Sequence, residues 1–138
     1  MLLYDIISLM KTAEKIAYWL DIAGYDMKTA RSLQKSGRYL YTVFMCQQAI
    51  EKILKANHLH KLSKEAPRSH NLVYLQSLLD LNLSEPRLKL LADLTTYYIE
   101  GRYPSYKAKL SALVNKKKSS EILKTSEELY KWLKLKIK

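Results

Sequence analysis

Glycine and proline are nearly missing from this chain, with three of each in 138 residues. Both residues punctuate structure, so their scarcity predicts long uninterrupted elements joined by few turns. There is one cysteine, Cys46, which excludes an internal disulfide and fits a reducing, cytoplasmic setting. No apolar run approaches the ~18 residues that a membrane span requires. The opening "MLLYDIISLMK" is apolar but carries Asp5, with no basic leader and no small-residue cleavage site, so it is not read as a signal peptide. A Gly-rich phosphate loop is excluded because Gly24, Gly37 and Gly101 lie far apart. Cys46, His58, His60 and His70 lack the spacing of a zinc site, and no Glu-x-x-His pair of the di-iron bundle type occurs. No metal or cofactor is therefore expected.

What is abundant is apolar residues and lysine. At 48% hydrophobic the composition is that of a globular chain, and the length fits one domain, 1–138, with 1–14 as a helical extension or a short helix of its own. Lysine and arginine number 24 against 13 acidic residues, a formal charge of +11. That surplus favours an anionic partner such as RNA, a nucleotide, DNA or an acidic protein. A solvated lysine-rich surface explains it equally well, and Lys116, Lys117 and Lys118 are read as a solvated turn.

Apolar residues recur at three- and four-residue spacing, the period of a helix buried on one face. The first stripe holds Ile16, Trp19, Leu20, Ala23, Met27, Ala30 and Leu33 and stops at Gly37. The second, from about Arg38 to His60, holds Leu40, Val43, Phe44, Cys46, Ile50, Ile53 and Leu54. Ser69 is the expected cap of a short third helix with Leu72, Leu75, Leu78 and Leu79. Ser84 and Pro86 open a fourth with Leu88, Leu91, Leu94 and Tyr98. A fifth starts near Ser119 or Ser120 and carries Ile122, Leu129, Trp132 and Leu133. No stretch alternates long enough for a strand. The expected fold is all-α, an antiparallel up-and-down bundle of four main helices plus a short one.

Three local features stand outside this pattern. "GRYLYTVFMCQQAIEKILKA" sets Gln47, Gln48, Glu51 and Lys52 beside an apolar stripe, where pairing along the helix, Gln48 with Lys52 or Glu51 with Lys55, is the plain explanation. "RSHNLVYL" opens a helix with His70, which there can simply hydrogen-bond its own loop. "YYIEGRYPSYK" puts Gly101, Arg102, Pro104 and four tyrosines in eleven residues. Pro104 disfavours a helical Tyr103, so the helix breaks or kinks there. Arg102 can fork onto a phosphate and Tyr103 can stack on a base. The competing explanation pairs Arg102 with Glu100 or another carboxylate.

In their order these pieces resemble the HEPN domain family, the higher-eukaryote and prokaryote nucleotide-binding domains. Trp19, Ala23, Asp26, Ala30 and Leu33 precede Gly-Arg-Tyr, Phe, Gln-Gln-Ala, Glu-Lys and Lys-Ala on the second helix. Ser-His-Asn-Leu and Arg-Tyr-Pro follow at the third helix and the end of the fourth. The resemblance implies a helical homodimer that binds a nucleotide or RNA and works with a minimal nucleotidyltransferase, as in toxin–antitoxin pairs. Within that reading the expected nucleotide or RNA contacts are Arg102 anchoring phosphate, Tyr103 stacking, Tyr106 and Lys107 extending the surface, and His70 as an auxiliary polar contact.

Family members that are metal-independent endoribonucleases carry Arg-x4–6-His. Here the corresponding positions after Arg102 are Lys107, Ala108 and Lys109, and no other arginine has a histidine at that spacing. Lysine is a poor proton shuttle at neutral pH, so the motif is read as absent or degenerate. Catalytic residues are left unassigned and the reading leans away from an enzyme. An endoribonuclease toxin with an atypical site and a non-catalytic adaptor for an acidic protein are the alternatives.

Overall fold

The computed structural model describes residues 6, 7 and 9–137. Six helices lie within them: α1 Thr12–Lys35, α2 Tyr39–Leu62, α3 Leu72–Ser77, α4 Glu85–Glu100, α5 Pro104–Leu113 and α6 Lys116–Leu135. No strand occurs among the described residues. The fold is all-α, a bundle of four long helices with two short ones. None of the helices described is long and apolar enough to cross a membrane.

Helices α1 and α2 form an antiparallel pair, each 24 residues and so about 36 Å long. The chain reverses over Ser36, Gly37 and Arg38, and Gly37 takes φ 79, a left-handed conformation in which a Cβ would be strained. Helix α2 is the central strut. Fifteen of its residues are buried, and it packs on α1, α6, α4 and α3. Val43, Cys46, Ile50 and Ile53 of the second stripe are fully buried, as are Leu91 and Leu94 of α4 and Leu129 and Leu133 of α6. Each large apolar side chain among them contributes about 1.5–3 kcal/mol of burial. A second cluster of Ile7, Trp19, Ala56 and Leu59 closes one end of the bundle.

The start of the chain differs from a simple backward extension of α1. Lys11 is extended (φ −70, ψ 156) and its N–H meets the Glu14 carboxylate at 3.4 Å, so α1 begins afresh at Thr12. Ile7 is buried against Trp19, while Leu3 lies outside the described residues.

Three element boundaries also depart from expectation. Asn71, not Ser69, caps α3: its Oδ1 accepts the Tyr74 N–H at 3.1 Å, while Ser69 Oγ accepts the Asn71 N–H. Lys116, Lys117 and Lys118 form the first turn of α6, because Asn115 accepts the Lys118 N–H at 2.9 Å and starts the helix early. Beyond Tyr103 the chain does break, but Pro104 then opens a further helix, α5, in which only Leu110 is buried. Proline suits a first helical position because its missing N–H has no partner there. Ser84 caps α4 as expected, with Pro86 in the first turn.

Candidate nucleic-acid interface

The site is built outward from the polar belt of α2. Gln47 and Glu51 are one turn apart on α2 and face the loop that enters α3. Glu51 is buried, with its side chain 5% exposed. Its Oε1 accepts from Gln47 Nε2 at 3.0 Å and from His70 Nδ1 at 2.8 Å, and its Oε2 accepts from Lys55 Nζ at 2.9 Å. Gln47 Nε2 also donates to the His70 carbonyl at 3.1 Å, and Gln48 Nε2 donates to the Gln47 Oε1 at 2.8 Å. The Glu51–Lys55 pairing expected along the helix is present. Lys52, however, reaches across to Asp26 of α1 at 2.6 Å instead of pairing with Gln48.

His70 is thereby fixed at both backbone and ring. Helix α3 is tied to α4 by Thr95, whose hydroxyl accepts the Leu72 N–H at 3.1 Å and donates to the Leu91 carbonyl at 2.8 Å. That tie brings the imidazole to Tyr98, with ring centroids 5.3 Å apart. Tyr98 carries Arg102 one helical turn further on. The guanidinium lies 4.6 Å from the ring centroid and donates to the tyrosine hydroxyl at 2.9 Å. Such a cation–π stack, with the added hydrogen bond, restricts a long side chain while leaving its remaining N–H groups open. Arg102 is exposed and has no carboxylate within ion-pair distance among the described residues. A pairing of Arg102 with Glu100 is not formed.

An aromatic train continues from Tyr98. Phe44 meets it edge-on at 6.0 Å, and Tyr41 meets Phe44 edge-on at 5.5 Å. Lys107 of α5 closes the train, donating to the Tyr41 hydroxyl at 2.6 Å and sitting 5.1 Å from that ring's centroid. Gly101 is what lets Phe44 enter. A Cβ there would sit 2.7 Å from Phe44 Cε1 and closer still to its Cζ. The glycine that looks like a helix exit is therefore a packing requirement, since its φ of −63 suits any residue.

Of the five residues expected to bind phosphate or base, the structure brings His70, Arg102 and Lys107 onto one network. Tyr103 and Tyr106 pair with each other, centroids 6.4 Å apart, and remain 57% and 49% exposed. The residues that sequence reading missed are the connectors. Tyr98 and Phe44 were placed on apolar stripes, and Tyr41 had no role. A cavity of about 260 Å³ lined by Arg38, Tyr41 and Ser111 among others adjoins the train. Larger cavities of about 370 Å³, beside Lys61 and Asp80, and about 640 Å³, between α1 and α6, are lined by none of the five residues.

The other titratable groups behave as core. Cys46 is fully buried, and burial pushes its thiol up to about 12, so it is a poor nucleophile. His58 Nδ1 donates to the Lys64 carbonyl at 2.7 Å, whereas His60 is exposed. They share no ligand, and no metal-binding cluster occurs among the described residues.

A central α2, an α3 entered through a pinned histidine and an α4 ending in Gly-Arg-Tyr-Pro define a small helical bundle with a cationic, aromatic face. The HEPN domain model matches residues 16–137, and the chain belongs to the HEPN domain family. Two solved structures share the fold. TT1696 from Thermus thermophilus superposes with a TM-score of 0.76 at 24% identity, over 89% of this chain and 98% of that one. ST0689, an archaeal HEPN homologue, superposes with a TM-score of 0.71 at 21% identity, again over 89% of this chain and 98% of that one. No significant match to a curated protein was found.

Proposed function

We propose that this single-domain HEPN protein binds the phosphate of RNA or a nucleotide, acting as a homodimer alongside a minimal nucleotidyltransferase. The observation that carries the reading is Arg102. Its guanidinium is stacked on Tyr98, exposed and unpaired with any carboxylate among the described residues. A guanidinium restrained by a ring contact and one hydrogen bond retains several directed donors for phosphate oxygens and loses little freedom on binding. Lys107 adds charge at the other end of the train, and the exposed rings of Tyr103 and Tyr106 offer stacking surface. His70 supplies a polar edge beside Tyr98.

The test is binding of a short single-stranded RNA and of free nucleotides, followed across a salt titration. Phosphate-driven binding falls steeply with salt, and Arg102→Ala makes the slope shallower by roughly 0.7 for each phosphate it leaves without a cation. Binding that is undetectable at low salt, or that is indifferent to Arg102→Ala, refutes the assignment. Co-expression with the nucleotidyltransferase encoded nearest to it, followed by size-exclusion chromatography, tests the partnership. Separate elution of the two proteins counts against it.

A further inference from the structure

We propose that the cavity between α1 and α6 binds a small organic carboxylate with an apolar body. The site is separate from Arg102 and shares no lining residue with the aromatic train that carries it.

At about 640 Å³ the cavity has room for a whole small molecule. Leu20, Gly24 and Met27 line it at helical spacing along one face of α1, and Tyr130, Lys131 and Lys134 line it from α6. Glycine weakens a helix interior relative to alanine, and Gly24 sits in the middle of α1. What it accommodates is Tyr130: a Cβ at Gly24 would lie 3.2 Å from the tyrosine hydroxyl. Tyr130 is only 9% exposed, yet its hydroxyl has no hydrogen-bond partner among the described residues. A polar group so far buried is nearly always paired, so a lone hydroxyl lining a cavity marks a place for an acceptor. Burial holds this phenol above its ordinary range, against the opposing charge of Arg31, so at neutral pH it keeps its proton and can donate.

The rim sets the charge of the ligand. Arg31 lies 2.9 Å from Glu127, and that pair is matched. Lys28, Lys131 and Lys134 remain, all exposed and without a carboxylate in ion-pair distance among the described residues. They attract an anion. Asp21 and Glu127 share the lining, however, and repel a multiply charged phosphate more than a single carboxylate. Leu20 and Met27 supply an apolar wall, and the Tyr25 ring, 71% exposed, offers a face to a planar body. An acid whose apolar part is either an aromatic ring or a short acyl chain meets these demands. Its carboxylate would accept from the lysines and from the Tyr130 hydroxyl.

The experiment is calorimetric titration of the full chain with naphthoate and with octanoate, each beside the corresponding neutral alcohol. Saturable binding of at least one acid is expected, with its alcohol about tenfold weaker or worse, the effect of losing a charge-assisted hydrogen bond. Naphthoate ahead of octanoate assigns the site to aromatic acids, and the reverse order assigns it to acyl chains. Lys131→Gln combined with Lys134→Gln should lower affinity by about tenfold. Tyr130→Phe should lower it to a similar extent yet melt at or above the parent temperature, because the hydroxyl has no partner within the fold. Gly24→Ala should weaken binding by placing a methyl before that hydroxyl. Four results overturn the site: no saturable binding of either acid at millimolar concentration, alcohols that bind as well as the acids, affinity indifferent to Tyr130→Phe and to the lysine changes, or a Tyr130→Phe protein that melts below the parent. Tighter binding of AMP than of either acid, lost in Tyr130→Phe, overturns the carboxylate assignment. Single-stranded RNA should not displace the acid, and displacement would overturn the separateness of the two sites. Failure of RNA to bind at all refutes the function of Arg102 and leaves this cavity standing.

Discussion

Gly101→Ala sets two physical effects against each other, and the geometry decides between them. Gly101 has φ −63 and ψ −12, inside the right-handed helical region. Backbone preference alone then favours alanine by about 1 kcal/mol. The new Cβ, however, would lie 2.7 Å from Phe44 Cε1, where ordinary contact begins near 3.4 Å. Phe44 cannot swing aside freely, because Tyr41 and Tyr98 meet it edge-on at 5.5 and 6.0 Å. Overpacking of this kind costs about 1–3 kcal/mol. The steric term equals or exceeds the backbone gain, for a net loss of up to about 2 kcal/mol and a fall in Tm of up to roughly 8 °C. Phe44→Leu shortens the side chain in the path of the new methyl, so adding it to Gly101→Ala should cost less than the two single changes together. A four-member melting series measures this coupling directly. RNA affinity should fall in Gly101→Ala as well, because displaced Phe44 disturbs the ring that carries Arg102. A Gly101→Ala protein that melts at or above the parent temperature would refute the packing account.

Other outcomes follow from named contacts. Asp26→Ala strands the Lys52 ammonium, whose side chain is 17% exposed, and should cost about 3 kcal/mol in denaturant melts. Asp26→Leu with Lys52→Met should recover most of that loss, since replacing both partners of a buried pair leaves no uncompensated charge. Cys46 should resist thiol reagents until the protein unfolds. Its thiol is raised from 9.0 to about 12 by burial, so its contribution to stability is complete below about 9 and declines as pH rises towards 12. Cys46→Ala should flatten that alkaline decline in pH-dependent denaturant melts. An alkaline stability profile identical to that of the parent contradicts the burial argument.

The bundle was readable because its period is local. Val43, Cys46, Ile50 and Ile53 are spaced for one helical face, and that face is the one buried in the bundle core. Boundaries were less readable where several polar residues competed. Ser69 and Asn71 both suit a cap, and only the three-residue step from Asn71 to the Tyr74 N–H decides between them. Helix α5 was missed because Pro104 ends one helix and begins another, and its lone buried Leu110 gives no stripe to detect. The site was half readable. Arg102, Lys107 and His70 are unusual in sequence, but Tyr98 sits at the right period to be core beside Leu91 and Leu94. Its role as the hub between His70 and Arg102 depends on Thr95 fastening α3 to α4, a contact between distant segments.

A surplus of +11 does not by itself locate a binding surface, because most of these cations are lysines spread along the whole chain. What separates Arg102 is how the bundle disposes of its acids. Glu51 faces Lys55 and His70, Asp26 faces Lys52, and Glu127 faces Arg31 at 2.9 Å. These carboxylates are each matched to a cation or to His70 on or between helices. Arg102 is instead steadied by an aromatic face, which attracts a cation without neutralising it. An incoming phosphate therefore meets full positive charge in a fixed direction and displaces no internal ion pair. The same logic applies to His70, whose carboxylate partner lies buried behind it. If the two acted independently, Tyr98→Leu would weaken phosphate binding through Arg102 alone. Because both rest on that ring, Tyr98→Leu should weaken phosphate binding and also change the His70 imidazole environment seen by NMR, whereas Arg102→Ala should weaken binding and leave that environment in place.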